Sequence, residues 1–130
     1  MRFMLMALAV LTLRLDDAMA CECDPPPLAD SVAHAKLVFS GHIVAEHESG
    51  GSYSYTVTVD HVWKGTVART VEVPTGSGTG DCSTGRLRAK DWLFVTNELR
   101  FVRMCGGSEP STPAVIANVT RLLRAPKAPS

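Results

Sequence analysis

The fold class is decided by one stretch, Tyr53-Ser54-Tyr55-Thr56-Val57-Thr58-Val59-Asp60-His61-Val62-Trp63-Lys64. Apolar and polar side chains alternate along it with the period of two that is typical of a half-buried β-strand. The apolar face is expected to carry Tyr53, Tyr55, Val57, Val59 and Trp63, with His61 in the same series. The chain therefore builds its core around a β-sheet.

Further strands are expected on both sides of this stretch. Dense β-branched and aromatic residues predict a strand at residues 37–44, where Gly41 marks a bulge or tight bend, and a turn at residues 48–52 joins it to the central strand. A strand through Val67, Val71 and Val73 is expected to end at Pro74, which cannot donate to a ladder. Residues 92–96 have the apolar character of a buried strand, and residues 101–104 are a further candidate.

Two helices are expected at the ends of the domain. Residues 28–35 have apolar side chains at helical spacing. A second helix is expected over residues 113–124, because Thr112 can cap it and Pro113 suits its first position. Its apolar face would carry Val115, Val119, Leu122 and Leu123.

The first twenty residues have the pattern of a signal peptide. Arg2 gives a positive start, residues 3–13 are apolar except for one threonine, and Ala18-Met19-Ala20 matches the small-x-small cleavage pattern. We expect a signal peptide at residues 1–20, one domain at residues 21–125 and a flexible tail at residues 126–130, in a secreted protein of the extracellular space or periplasm. The alternative is that the apolar run is a helix of the fold.

The charge balance argues against several classes of partner. The chain of 130 residues has 13 basic and 13 acidic residues, and removal of residues 1–20 leaves 11 of each. A neutral domain with no basic stripe lacks the electrostatic footprint of a nucleic-acid binder, and no polybasic run is present for anionic lipids. The apolar run near the start is too short for a transmembrane anchor.

Four cysteines, Cys21, Cys23, Cys82 and Cys105, predict two disulfides, because the count is even and the chain is small and exported. A bridge between Cys21 and Cys23 is disfavoured by geometry, which leaves two long-range pairings open. A zinc site is a weaker alternative, since such sites present two C-x2-4-C pairs. A cysteine after a cleavage site is also the lipoprotein arrangement, and acylation would block the Cys21 amine.

No catalytic set is apparent, so we expect neither an enzyme nor a cofactor. His34, His42, His47 and His61 form no metal-binding or catalytic spacing, and no serine lies in a G-x-S-x-G elbow. The glycine-rich residues 75–80 lack the lysine of a phosphate-binding loop and are interpreted as a surface loop. The sequon at residues 118–120 is interpreted as chance, because it falls inside the second helix.

The start of the mature chain, Cys21-Glu22-Cys23-Asp24-Pro25-Pro26, resembles that of the tissue inhibitors of metalloproteinases, whose N-terminal domain is netrin-like. The order of later features is also similar, namely Phe39-Ser40-Gly41 before a strand, Trp63-Lys64-Gly65 after one, and Cys105-Gly106-Gly107 before a terminal helix. The resemblance implies a mainly β fold: a closed OB-fold-like Greek-key barrel of five to six strands with a short N-terminal helix, a C-terminal helix and two disulfides.

The resemblance also implies a pairing and a function. It implies the bridges Cys21–Cys82 and Cys23–Cys105, and inhibition of a zinc metalloendopeptidase through a ridge formed by Cys21, Glu22, Cys23, Asp24 and Pro25. The α-amine and carbonyl of Cys21 would chelate the protease zinc in trans, and Glu22 would enter the specificity pocket. Residues 40–41 and 76–80 would complete the contact surface. The alternative is a non-inhibitory netrin-like module that binds a protein or glycan.

Overall fold

The computed structural model describes Cys21 and residues 23–130, so the expected signal peptide and Glu22 lie outside the described residues. Within the described part, no helix has the length and apolarity needed to cross a membrane. The elements are α1 (Leu28–His34), β1 (Leu37–Ser49), β2 (Ser52–Lys64), β3 (Thr70–Gly76), β4 (Asp91–Thr96), β5 (Glu109–Pro110) and α2 (Pro113–Leu123).

The five strands form one antiparallel sheet in the order β3-β2-β1-β4-β5. Three consecutive strands form a meander, and β4 returns along a long connection to lie beside β1, which is the Greek-key arrangement. The expected fold class is confirmed: the protein is mainly β, with a barrel-like sheet, two helices and two disulfides.

The sheet is buried on two sides where β1 and β4 pair. One core lies inside the curved sheet and includes Phe39, Tyr55 and Phe94. A second core lies between the outer face of the sheet and both helices, and includes Val38 and Trp63. A strand that is covered on both faces has successive apolar residues instead of alternating apolar and polar ones. This explains the composition of β4 and of the first half of β1.

Irregular pairing between β1 and β2 shifts the alternation along the central strand. Gly41 is opposite Val59 and Ser40 is opposite His61, so Asp60 is an extra residue on β2. After it, Val62 joins the inner core and Trp63 packs on the helix side. The prediction that Trp63 shares a face with Tyr55 is therefore wrong, and His61 is exposed rather than on the buried face.

Gly41 is required at this irregularity, as the sequence predicts. A Cβ atom at position 41 would lie 2.5 Å from the Thr58 carbonyl oxygen and 2.6 Å from Val57 Cγ1. Real Cβ atoms do not approach that closely, so no other residue fits without moving the backbone of β2. The close approach lets β1 curve across β2 while it also pairs with β4.

Two chain segments cover exposed edges of the sheet. Strand β3 continues through Pro74 to Gly76, so the prediction that it ends at Pro74 is wrong. On the edge of β3, the Pro74 carbonyl accepts a hydrogen bond from the Val102 amide. The expected flexible tail, residues 126–130, lies along β2. Its Lys127 amide and carbonyl pair with those of Val62, and the Ser130 amide donates to the Val67 carbonyl.

Helix α2 starts as the sequence predicts, with the Thr112 hydroxyl accepting a hydrogen bond from the Val115 amide and Pro113 in the first turn. Its Thr120 hydroxyl accepts a hydrogen bond from the Trp63 indole at 3.1 Å. Helix α1 is fixed in turn by Lys64, whose ammonium group donates to two carbonyls near the helix end. Both helices are thus tied to the last residues of β2.

Tyr55 connects the inner core to the mouth of the barrel. Its hydroxyl donates to Glu46 Oε1 at 3.0 Å and accepts from the buried Leu87 amide at 2.8 Å. Arg86 donates two hydrogen bonds to the same Glu46 carboxylate, which lowers the Glu46 pKa, while burial raises the pKa of the Tyr55 hydroxyl. One hydroxyl thus fixes the position of the segment that follows the 76–85 loop.

Replacement of Tyr55 by phenylalanine should destabilise the protein. The Tyr55→Phe change keeps the ring but leaves the buried Leu87 amide without its acceptor, which costs about 1–3 kcal/mol. Urea unfolding followed by tryptophan fluorescence measures the difference. Tyr53→Phe is the matched control, because Tyr53 is only half-buried, and its unfolding midpoint should stay close to that of the unchanged protein. Equal midpoints for both variants would contradict this role of Tyr55.

Candidate functional site

Two disulfides fasten the start of the described chain to distant loops. Cys21 is bonded to Cys82, with Cα atoms 5.0 Å apart across a separation of 61 residues. Cys23 is bonded to Cys105, with Cα atoms 6.3 Å apart across 82 residues. This is the pairing that the family resemblance implies. Two bridges within three residues fix both the position and the direction of the segment.

The two receiving cysteines lie in adjacent turns. Cys82 and Cys105 both have left-handed backbone conformations, with φ of 57° and 60°. The Met104 amide donates to the Cys82 carbonyl at 2.8 Å, and an isolated bridge joins Ser83 to Arg103. The two turns therefore form a single platform, and the N-terminal segment is bonded to both halves of it.

Residues 23–25 lie exposed beside this platform. We define the N-terminal ridge as residues 21–25, the set for which the family resemblance implies the inhibitory contact. Cys23, Asp24 and Pro25 are exposed and Cys21 is half-buried, while Glu22 lies outside the described residues. Prolines at positions 25–27 keep the backbone extended until α1 begins. The ridge is thus exposed in its described part and anchored at both cysteines.

Asp81 organises the glycine-rich loop beside Cys82. Its carboxylate accepts hydrogen bonds from the Ser77 amide at 2.7 Å, the Ser77 hydroxyl at 3.0 Å, the Ser83 amide at 3.0 Å and the Ser83 hydroxyl at 2.7 Å. These donors, the Ser77 amide foremost, hold the Asp81 pKa far below its usual range. The loop that carries Cys82 is therefore an ordered structure.

Glycines make this arrangement possible. Gly76 has φ of +73°, and a Cβ atom there would collide with the Asp81 carboxylate and the Ser83 hydroxyl. Gly78 and Gly85 pass each other so closely that a Cβ on either would lie 3.0 Å from the other's Cα. The prediction of a plain surface loop at residues 75–80 did not include the hydrogen bonds of Asp81. Serines four residues before and two residues after an aspartate were the available signal, since aspartate commonly bonds nearby amides in turns.

The Ser40-Gly41 pair, expected to extend the ridge, lies elsewhere. Both residues are buried within β1, and Ser40 is 4% exposed. Ser40 lines a groove with Asp60, His61 and Asp91, whereas Pro25 and Pro26 line cavities beside Cys105. Ser40 and the described residues of the ridge line no cavity in common. The neighbours of the ridge are instead the turns that contain Cys82 and Cys105.

The four histidines are dispersed. His34 contacts the Asp30 carbonyl, His42 lies 3.4 Å from Asp60, His47 contacts Thr56, and the exposed His61 packs edgewise on Trp63. Across the described part of the chain, no cluster of three or more His, Cys, Asp or Glu side chains could hold a metal ion.

No protein-family model matches this sequence, and a search of curated proteins finds no match.

The Asp81 network predicts a pH dependence of stability. Folding lowers the Asp81 pKa, so the ionised carboxylate stabilises the folded state fully at pH values above the unfolded-state pKa of about 4. This stabilisation is lost as the pH falls below that pKa. The Asp81→Asn variant should therefore melt at a lower temperature than the unchanged protein at neutral pH. Calorimetry should show that this difference shrinks as the pH is lowered from about 5 to about 2.

Glu98→Gln is the matched control for this measurement. Glu98 is exposed and its carboxylate accepts no hydrogen bond from any described residue, so its replacement should leave the melting temperature nearly unchanged at every pH. If the melting temperatures of Asp81→Asn and the unchanged protein differ by the same amount from about pH 5 down to about pH 2, the assigned network is contradicted.

Proposed function

We propose that this protein is a secreted inhibitor of zinc metalloendopeptidases whose mature form begins at Cys21. The observation that carries the proposal is the exposed ridge, bonded at Cys21 and Cys23 to a platform formed by two adjacent turns. A short segment that enters an enzyme cleft gains affinity when its shape is set before binding, because little conformational entropy is then lost.

The chemistry of inhibition would lie at the first residue. Once cleavage frees the Cys21 α-amine, that nitrogen and the Cys21 carbonyl oxygen can bind one zinc ion in a five-membered chelate ring. An α-amine has a reference pKa of about 8, and binding to zinc lowers the cost of its deprotonation further. The Cys21 sulfur would take no part, because it is used in the bridge to Cys82.

The residues after Cys21 would occupy the substrate cleft. Asp24 and Pro25 are exposed, and each precedes a proline, which favours the extended backbone that a peptide in a protease cleft adopts. Proline fixes φ and removes an amide proton, so this part of the ridge cannot easily adopt another shape. If a protease cleaved the chain between Cys21 and Cys23, the two pieces would not separate from the domain, because Cys21 remains bonded to Cys82 and Cys23 to Cys105.

Glu22 would determine which proteases are inhibited. It lies in the sequence between two bridged cysteines, and the resemblance implies that this residue contacts the specificity pocket. Moving an ionised carboxylate into an apolar pocket costs several kcal/mol unless it is paired. The proposed targets are therefore metalloendopeptidases with a cationic or polar group in that pocket.

The chelation step is tested by adding one residue. Mature protein that starts at Cys21 and a form that starts at Ala20 should fold alike, but the second has its amine one residue further from the carbonyl of Cys21. We expect the inhibition constant against a sensitive zinc endopeptidase to rise at least about 10- to 100-fold, which is the loss of metal affinity typical even for residues that only support the ligands. Equal potency of the two folded forms would reject chelation.

The pocket assignment is tested by Glu22→Leu in the form that starts at Cys21. This variant should gain potency against proteases with an apolar pocket and lose it against those with a cationic one, which a panel of inhibition constants will show. Glu98→Gln, with the same change in charge away from the ridge, should leave the whole panel unchanged. Failure of every form to inhibit any protease in the panel would favour the alternative, a non-inhibitory module that binds a protein or glycan.

A further inference from the structure

One stretch of sheet edge stays open in the described part of the chain. Other strand edges have backbone partners: the Pro74 carbonyl of β3 bonds to the Val102 amide, and Val62 of β2 pairs with Lys127 of the tail. Residues 37–42 of β1 pair with β4. The second half of β1 has no such partner on this side among the described residues.

Residues 45–49 of β1 form this open edge. On the side of β4, the last backbone hydrogen bond between β1 and a described residue runs from the Ile43 amide to the Lys90 carbonyl, at 2.8 Å. Residues 45–49 then pair with β2 alone, in unbroken register from Thr56 to Ser52. Along an antiparallel strand the N–H and C=O groups point to alternate sides, so two or three of these five residues direct them away from β2. Unpaired backbone groups of this kind are a template for another strand.

A cavity separates this edge from the chain segment that precedes β4. The Leu87 amide of that segment donates to the Tyr55 hydroxyl, and Arg86 donates to the Glu46 carboxylate. These contacts use side chains of the hairpin and leave its backbone edge unpaired. About 460 Å³ of space lies between the segment and β1.

Val44 is exposed where the pairing with β4 ends. It is an extra residue of β1, because its neighbours Ile43 and Ala45 are opposite the consecutive residues Val57 and Thr56. The Val44 side chain is 55% exposed and lines the cavity. An exposed apolar side chain beside unpaired backbone groups suits contact with another extended chain.

The lining of the cavity is positively charged. It contains three exposed cations, Arg86, Arg88 and Lys90, and one carboxylate, that of Glu46. Arg86 is bonded to Glu46, whereas the side chains of Arg88 and Lys90 make no hydrogen bond or ion pair to any described residue. Glu48 is nearer to the turn and does not line the cavity. Two cations are therefore available to a negatively charged ligand at one end of the open edge.

We propose that residues 45–49 bind an extended acidic segment of a partner protein, which adds a strand to the sheet. Main-chain hydrogen bonds to the open edge provide affinity, as in other cases of strand addition. Carboxylates of the segment pair with Arg88 and Lys90, and an apolar side chain of the segment contacts Val44. The unpaired backbone groups distinguish this surface from a charged patch, because they select an extended peptide.

This surface is separate from the N-terminal ridge. None of the residues that line its cavity lines the cavities beside Pro25 and Pro26. Binding of a partner at residues 45–49 therefore does not depend on the proposed inhibition of proteases, and the two are tested by different measurements.

The probe is a blocked hexapeptide in which glutamate and valine alternate, titrated into the ¹⁵N-labelled mature protein. We expect saturable shifts of the backbone amide signals of residues 45–49. Hydrogen exchange should slow at the outward-facing amides among them, because these amides gain acceptors in the added strand. A peptide with lysine in place of glutamate should bind at least about tenfold more weakly. A glutamate peptide with every amide methylated, which cannot donate to a ladder, should lose at least as much.

Charge-reversal variants test the two available cations. Arg88→Glu and Lys90→Glu should each weaken binding of the glutamate peptide about threefold to fivefold, which is the contribution of one exposed ion pair. Arg69→Glu is the matched control, because Arg69 is an exposed cation that does not line this cavity, and it should leave the affinity unchanged. The spectrum of each variant reports directly whether it is folded.

Three outcomes would overturn the proposal. The first is equal binding of the methylated and unmethylated glutamate peptides, since charge alone then attracts the ligand. The second is unchanged affinity in both Arg88→Glu and Lys90→Glu, or exchange at residues 45–49 that stays fast when the peptide is bound. The third is slow exchange at these amides in the free protein that becomes fast on dilution, because a second copy of the chain then occupies the edge.

Discussion

The two disulfides at the start of the domain are the constraint on which the end of the molecule that carries Cys82 and Cys105 depends. In the chain-entropy model, bridges that close 61 and 82 residues each stabilise the folded state by about 4 kcal/mol. Their geometric effect matters more here. Cys82 and Cys105 lie in turns that are hydrogen-bonded to each other, so bonding Cys21 and Cys23 to them fixes a segment that has no secondary structure of its own.

The sheet supports this arrangement from below. Strand β1 pairs with β2 along its whole length and with β4 over its first half, which gives the sheet an inner core and an outer, helix-covered core. The loops after β3 and β4 then meet at one end, where Cys82 and Cys105 lie. Two networks order that end: the Asp81 carboxylate within the first loop, and the Tyr55 hydroxyl between the barrel and the segment after it.

Much of the fold follows from short-range patterns, because strand alternation, helical spacing and the Thr112 cap are properties of neighbouring residues. Short-range patterns do not determine which side chains of the central strand face the inner core. Asp60 is an extra residue in β2 because Gly41 allows β1 to cross β2 closely, and this contact joins residues that are distant in the sequence. The ridge was predictable from its cysteines. The Asp81 network was not, since it depends on how the residues of the loop meet in three dimensions.

The central claim is that a free Cys21 starts a segment bonded in order to Cys82 and Cys105. Mass spectrometry of the exported protein tests it most directly, with proteolysis under non-reducing conditions and fragmentation between Cys21 and Cys23. We predict an unmodified N-terminal Cys21 linked to the peptide that contains Cys82, and Cys23 linked to the peptide that contains Cys105. The crossed pairing, an acylated Cys21, or a first residue upstream of Cys21 would contradict the account.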